Sequence, residues 1–397
     1  MYNRSIYINE IKKYLNKPVI KVITGIRRSG KSCLLQMIIN CLDVDQKQIL
    51  YINKESLEFD HIKNYKDLYQ FTKQYFDKTD GNCYLFVDEI QEIIQWEKAI
   101  VSFVSSAAID IFITGSNAHL LSSEIATLIS GRYIEIPVYT LSFQEFLMFR
   151  NRKNEDRFSE FNNYIQYGGF PAIHHFDLKE NTIYQYISSL YDTIILKDVV
   201  KRNNVRNVRL LENIYKYIFD NTGNIFSAKR ISDFLKSKKI SVSLETVQNY
   251  ISYFISTYAI HKVQRYDIKG KRFLELYEKY YAGDIGLRHA LIGYNKEDIS
   301  GILENIVYLE LKRRNYYVYI GKIGNNEIDF IAERENKKIY IQVCYLLESQ
   351  KTIEKEFSSL MMIEDNYPKY VISMDTFLSD DYNGVIRKNL IDFLLEE

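Results

Sequence analysis

The sequence predicts an α/β protein. A mostly parallel sheet covered on both faces comes first, then a helical segment, a helix-turn-helix with a β-hairpin, and a small second α/β unit. Three observations predict this. Apolar strands alternate with helices between residues 6 and 137, the pattern of crossover connections in a parallel sheet. Short helices that open after Ser, followed by two strand-like runs, occupy residues 208–280. From residue 303 the order is helix, three strands, helix, strand.

The elements follow from local pattern. Residues 6–15 read as a short helix, and Pro18 precedes the β-branched run Val19–Thr24. A Gly-rich turn, 25–32, leads into a helix through Ile39. Strands follow at 49–53, 84–88, 109–114 and 133–137, with helices at 62–77, 96–107 and 117–129 between them. Residues 142–205 read as mainly helical, broken at Gly168-Gly-Phe-Pro171. Helices at 208–220, 227–235 and 243–254 precede a hairpin, 259–266 with 273–280, the order of a winged helix-turn-helix. The last segment predicts a helix at 303–315, strands at 316–321, 327–334 and 337–345, a helix at 351–362 and a strand at 369–373. Domain boundaries are expected at 1–141, 142–205, 206–298 and 299–397.

Composition narrows the function classes. The 397 residues are 46% hydrophobic and 26% charged, which excludes a disordered chain and suits several domains. Net charge is +1, yet residues 201–290 hold 17 Lys/Arg against 8 Asp/Glu, so the basic excess is local and suggests a polyanion partner for that part. Cys33, Cys41, Cys83 and Cys344 are widely spaced, which fits neither a zinc framework nor a disulfide scaffold and fits a reduced cytoplasmic setting. No run of 18 apolar residues occurs.

The turn Gly25-Ile-Arg-Arg-Ser-Gly-Lys-Ser32 matches the P-loop pattern between a strand and a helix. Gly25, Ile26, Arg27, Arg28, Ser29, Gly30, Lys31, Ser32 and Cys33 are the expected nucleotide-binding residues. Glycines permit the tight turn, backbone N–H groups hold phosphate oxygens, Lys31 reaches the outer phosphates of ATP, and the Ser32 hydroxyl ligates Mg2+. Asp88 and Glu89 end an apolar strand. Asp88 is expected at Mg2+, and Glu89 is the expected base for the attacking water. The next strand ends in Gly115-Ser116-Asn117, where Asn117, or else Ser116, touches the γ-phosphate or the water, though Asn117 also suits a helix cap. Arg132 is a candidate phosphate sensor or arginine finger, in cis or toward a neighbouring subunit of a homo-oligomer, against the plain alternative of a surface salt bridge.

These residues resemble a known group. Gly-Ile-Arg-Arg-Ser-Gly-Lys-Ser, Phe86-Val-Asp-Glu-Ile-Gln91, Thr114-Gly-Ser-Asn117 and Ser130-Gly-Arg132 look like prokaryotic AAA+-type ATPases with a GxRRxGK[ST] loop. The resemblance implies a five-stranded P-loop core with an extra strand beside the catalytic glutamate. It also implies a helical lid carrying Gly168-Gly-Phe-Pro171, a winged helix, and a C-terminal nuclease-like domain around Glu327-Ile-Asp-Phe330.

Two further modules carry expectations. Helix 243–254 offers Ser243, Glu245, Thr246, Gln248 and Asn249 to base edges or phosphates. Lys229, Arg230, Lys236, Lys238 and Lys239 before it, and Lys269, Lys271 and Arg272 in the hairpin turn, suit a duplex DNA backbone. In the C-terminal segment Glu304 and Asp329 fit a PD-(D/E)xK nuclease pattern, but Gln342 and Cys344 stand where Glu and Lys belong, so that domain is expected to be inactive. His174-His175 is expected to be structural, since adjacent residues on extended chain point apart.

The sequence therefore predicts an ATPase using ATP and Mg2+, coupled to a winged-helix, DNA-binding module and located in the cytoplasm, with no membrane span. Two other readings stand beside it: a slow nucleotide-gated protein-docking switch without DNA, and an ATP-regulated nuclease.

Overall fold

The computed structural model describes residues 3–106, 109–121, 129, 131–151, 156–376 and 381–396. They fall into two compact units, 1–138 with 256–258, and 139–255 with 259–397.

The first unit contains helix α1 (Ser5–Lys12), β1 (Ile20–Thr24), α2 (Lys31–Asn40), β2 (Ile49–Asn53), α3 (Tyr65–Phe76), β3 (Cys83–Asp88), α4 (Trp96–Ser106), β4 (Ile109–Gly115) and β5 (Tyr133–Pro137). The strands form an all-parallel sheet in the order β2-β3-β4-β1-β5. β1 and β3 are buried at every residue, as strands covered on both faces must be. One apolar layer joins Leu85, Val87, Ile113 and Trp96; the other joins Ile23, Leu34, Phe86 and Phe112. Phe86 and Phe112 stack at 4.6 Å. Trp96 anchors α4 in the core.

A lysine in the middle of such a strand needs a partner. Lys21 on β1 is fully buried and pairs with Asp110 on β4, while its Nζ also donates to the Lys17 carbonyl at 3.1 Å. The helix expected over 117–129 lies for the most part outside the described residues, as does Ser130; residues 118–121 form a short 3-10 turn.

The second unit begins with helices α5 (Phe143–Phe149), α6 (Arg157–Tyr167), α7 (Glu180–Thr193, continued by a π-helical turn to Lys201) and α8 (Val208–Asp220). Gly168 and Gly169 sit where side chains would collide. A Cβ on Gly168 would lie 2.2 Å from Asp284, and one on Gly169 would lie 2.5 Å from the Leu141 carbonyl. Asp284 accepts the Gly169 N–H at 2.9 Å and the Gly286 N–H at 2.8 Å. Burial raises its pKa against the pull of those N–H groups.

Next come β6 (Ile225–Phe226), α9 (Ala228–Ser237), α10 (Leu244–Ser256), and the hairpin of β7 (Ile260–Asp267) and β8 (Arg272–Ala282). Ser227 and Ser243 cap α9 and α10 through the N–H groups of Arg230 and Thr246. The hairpin does not stand alone. After α11 (Ile285–Ile292) and α12 (Ile299–Arg313), strands β9 (Tyr317–Ile323), β10 (Asn326–Arg334) and β11 (Lys337–Val343) extend the same sheet. Helix α13 (Gln350–Met361), β12 (Lys369–Ser373), β13 (Asp381–Tyr382), β14 (Val385–Asn389) and α14 (Leu390–Leu395) complete the chain. The order is β13-β14-β12-β11-β10-β9-β7-β8-β6, with β7 parallel to β9. The predicted strand and helix positions after residue 303 recur within a few residues; the short β13 and β14, with α14, were not predicted.

Candidate functional site

Four strand ends of the parallel sheet build the site in the first unit. At the end of β1, Gly25 adopts φ +140, and a Cβ there would lie 2.2 Å from the Val138 carbonyl. Only glycine fits against the chain leaving β5. The turn closes with Gly30 in the left-handed region (φ 99) as N-cap of α2, with no side chain capping the helix. The first-turn N–H groups of α2 therefore face the turn. Lys31 is buried, and its Nζ donates to the carbonyls of Gly25 and Ile26 at 3.0 and 3.1 Å. Among the described residues Ser29 Oγ is buried with no hydrogen-bond partner, while its carbonyl accepts Arg4 Nη1 at 3.0 Å. Arg4 is thus a loop support that lay hidden in the sequence, because it acts 25 residues away.

The other expected loop residues separate by exposure. Ile26 is buried. Arg27 is buried and pairs with Glu55 at 3.2 Å. Arg28, in the left-handed region at φ 66, is exposed, as are Ser32 and Cys33 on the first turn of α2.

Asp88 ends β3 next to β4, and the side chain opposite it is Thr114. The Thr114 hydroxyl donates to Asp88 Oδ1 and accepts the Glu89 N–H at 3.0 Å. Tyr51 on β2 donates to Asp88 Oδ2 at 3.1 Å. Burial and the neighbouring Asp88 carboxylate push the Tyr51 phenol well above its ordinary pKa, so it stays a donor. Glu89 turns the chain in a left-handed conformation, φ 56 and ψ 52. Its Oε2 accepts from Gln91 Nε2 and from Ser116 Oγ at 3.3 Å.

Ser116, one of the two candidates on the β4 turn, meets Glu89 with its side chain. Asn117 is buried, and its carbonyl accepts the Leu120 N–H at 3.2 Å, which starts the 3-10 turn. Arg132 is exposed and lies at the start of β5, its carbonyl accepting the Ile20 N–H at 2.9 Å. That is the far end of the sheet from the turn, roughly 15 Å away for five residues at a strand's rise. The structure therefore does not bring Arg132 to Lys31 within one chain. Thr114 and Tyr51 are the site neighbours that strand order supplies and the sequence reading did not assign, while Gln91 stood in the motif after Glu89 without a role; a hydroxyl at the end of the strand beside the acidic pair was the one available signal.

The residues fit an Mg2+-nucleotide. Ser32 and Asp88 offer hard oxygen donors, Ser29 Oγ is a buried hydroxyl in the turn with no partner among the described residues, and the Lys31 ammonium lies at the turn's own carbonyls. Among the described residues no group of three His, Cys, Asp or Glu side chains is arranged to hold a metal. A phosphate site needs fewer, since Mg2+ keeps water and phosphate oxygens.

The second unit contains another acidic cluster. Lys279 on β8 is buried, with Nζ 2.7 Å from Glu304, 2.6 Å from Glu327 and 3.8 Å from Asp329. Tyr281 donates to Glu304 at 2.5 Å. Asp329 accepts the Val343 N–H at 2.8 Å, and burial with the nearby Glu304 raises its pKa despite Lys279. Gln342 accepts the Asp329 N–H at 3.3 Å and donates to Glu356 at 3.1 Å. Cys344 is buried, and burial raises its thiol to about 12. His174 lies between Phe146 and Phe149, and burial with Arg150 lowers it to about 4; His175 is exposed.

The basic stretch also resolves. Lys229, Arg230, Lys236, Lys238, Lys239, Lys269, Lys271 and Arg272 are exposed, as are Ser243, Glu245, Gln248 and Asn249 on α10; Thr246 is half-buried. Lys279 and Arg288 are buried in ion pairs, the latter with Asp298 at 2.7 Å, so the local charge excess overstates what a polyanion meets. Among the described residues no helix is long and apolar enough to cross a membrane.

Residues 17–147 match the model of the AAA domain family, and residues 158–298 match a domain of unknown function, DUF8612. A solved Walker-type ATPase of Pyrococcus abyssi is similar in fold, with a TM-score of 0.52 and 14% identity, covering 73% of this chain and 96% of that one. An uncharacterised protein of Haemophilus influenzae is 35% identical over 403 residues, spanning 100% of this chain and 99% of the relative. An uncharacterised protein of Methanocaldococcus jannaschii is 36% identical over 352 residues, spanning 85% of this chain and 77% of the relative. With that identity and coverage the chain belongs to one family with these two proteins, and residues 17–147 are its AAA-type P-loop ATPase domain.

Proposed function

We propose that this protein binds and hydrolyses ATP with Mg2+ and transmits its nucleotide state to a nucleic-acid-binding segment. The observation that carries the reading is convergence. The turn with Lys31, the Asp88–Glu89 pair and the Thr114–Ser116 hydroxyls meet at one end of one sheet, although they come from three strands. Lys31 exchanges its carbonyls for phosphate oxygens, and its charge offsets the charge that develops on transfer. Ser32 and Asp88 would hold the metal, which would supply charge neutralisation for the phosphates. Glu89 orients and deprotonates water. Arg132, exposed and distant from its own site, serves the site of a neighbouring subunit in a homo-oligomer.

Coupling has a candidate route. Thr24, the residue before Gly25, donates to Glu135 Oε1 at 2.8 Å, and Tyr258 donates to the same oxygen at 3.1 Å. Tyr258 follows α10 directly in sequence. The exposed lysines of α9 and of the β7–β8 turn support a winged-helix reading that meets duplex DNA through residues 206–290, in a cytoplasmic protein. In the C-terminal nuclease-like segment the carboxylates already pair with Lys279, which supports an inactive domain.

The test is ATP turnover by the full chain with and without duplex DNA, at about 50 and 200 mM salt. DNA stimulation that fades at the higher salt is expected, and indifference to DNA would favour a protein-docking switch. Lys31→Ala is expected to abolish nucleotide binding; wild-type affinity in that variant would refute the assignment.

A further inference from the structure

Gln91 lies two residues past Glu89, in the 3-10 turn Ile90–Glu92. Three features set it apart. Its Nε2 donates to Glu89 Oε2, the oxygen that Ser116 also reaches. Its Oε1 is buried with no hydrogen-bond partner among the described residues, an unfavourable state if it persists. And its amide fills space left by Gly115: a Cβ there would lie 2.7 Å from Gln91 Oε1 and 1.9 Å from Leu120 Cδ1. An apolar side chain would fill that space without leaving a buried acceptor orphaned, so packing alone does not account for glutamine.

The surroundings fix Glu89 from both sides. Thr114 holds its N–H, and the left-handed backbone turns its side chain back over the strand ends. Gln91 and Ser116 then occupy Oε2, while no described residue donates to Oε1.

We propose that Gln91 is a positioning residue for ATP hydrolysis: by holding Oε2 of Glu89 it leaves Oε1 as the oxygen that accepts the proton of the attacking water, and its own Oε1 accepts a hydrogen bond from water in the assembled site. This rests on the reading of Glu89 as the base. A base held in one orientation removes a rotational search from the rate-limiting approach, and losing such placement costs on the order of tenfold to a hundredfold in rate.

The test uses Gln91→Met, which keeps length and volume but has no amide, in the full chain. Expected is a fall in kcat of about tenfold or more, with the Kd for a non-hydrolysable ATP analogue within about twofold. In a Glu89→Gln background the same change is expected to cost nothing further, because the oxygen it orients is no longer basic. Wild-type kcat in Gln91→Met while Glu89→Gln is inactive overturns the positioning role alone, as does an undiminished loss in the double variant. Wild-type turnover in Glu89→Gln overturns the base and this inference together. Gln91→Leu, read by the same split between kcat and the Kd of the analogue, serves if Gln91→Met folds poorly, and a wild-type kcat in it overturns the positioning role.

Discussion

Two buried acidic groups, each in its own unit, are completed in opposite ways. At the end of β3, every described donor to the side chains of Asp88 and Glu89 is neutral: the Thr114 and Ser116 hydroxyls, the Tyr51 phenol and the Gln91 amide. In the second unit, Glu304, Glu327 and Asp329 gather around the ammonium of Lys279. Neutral donors orient carboxylates but leave their charge for an incoming cation. A buried ammonium offsets part of that charge and ties strand β8 to helix α12 and strand β10 instead. The same residue types therefore give a site receptive to a ligand in one unit and a structural joint in the other. Counting carboxylates does not tell them apart; identifying their donors does.

Three experiments press on that contrast, the largest expected effect first. Lys279→Met leaves the buried Glu304 and Asp329 and the half-buried Glu327 without their cation and is expected to destabilise the chain by roughly 3–5 kcal/mol, read from urea unfolding. Adding Glu304→Gln should return part of the loss; a loss below about 1 kcal/mol would remove the joint from the account. Gln91→Met, by contrast, should leave unfolding nearly unchanged while slowing turnover, because the first unit's donors orient rather than neutralise. The smallest effect concerns acid. His174 has a folded pKa near 4 against 6.5 unfolded, so the unfolded chain binds more protons between those values, and stability present above pH 6.5 is lost as pH falls toward 4. His174→Phe, among Phe146 and Phe149, should make the change in stability from pH 7 to 5 smaller by on the order of 1 kcal/mol. An unchanged difference would mean that His174 does not carry it.

Much of the first unit was legible in sequence for a physical reason: its chemistry sits at strand ends marked by local signals. Gly25 and Gly30 mark the turn, Lys31 and Ser32 open a helix, and Asp88–Glu89 break an apolar run. What remained hidden depends on strand order. Thr114 meets Asp88 only because β4 lies beside β3, and Arg132 is remote only because β5 runs parallel to β1. Lys279 was counted within a basic stretch, and nothing local showed that β8 enters a sheet continuous with β9–β12 and turns that side chain inward. Gln91 was visible in the motif after Glu89, but its task needed the space at Gly115.

The most direct measurement is ATP turnover alongside nucleotide affinity for the wild-type chain and Glu89→Gln. The account predicts that the variant binds the nucleotide as tightly as the wild type and turns it over at least about a hundredfold more slowly, the scale of a lost general base. Equal turnover in the two proteins would contradict it.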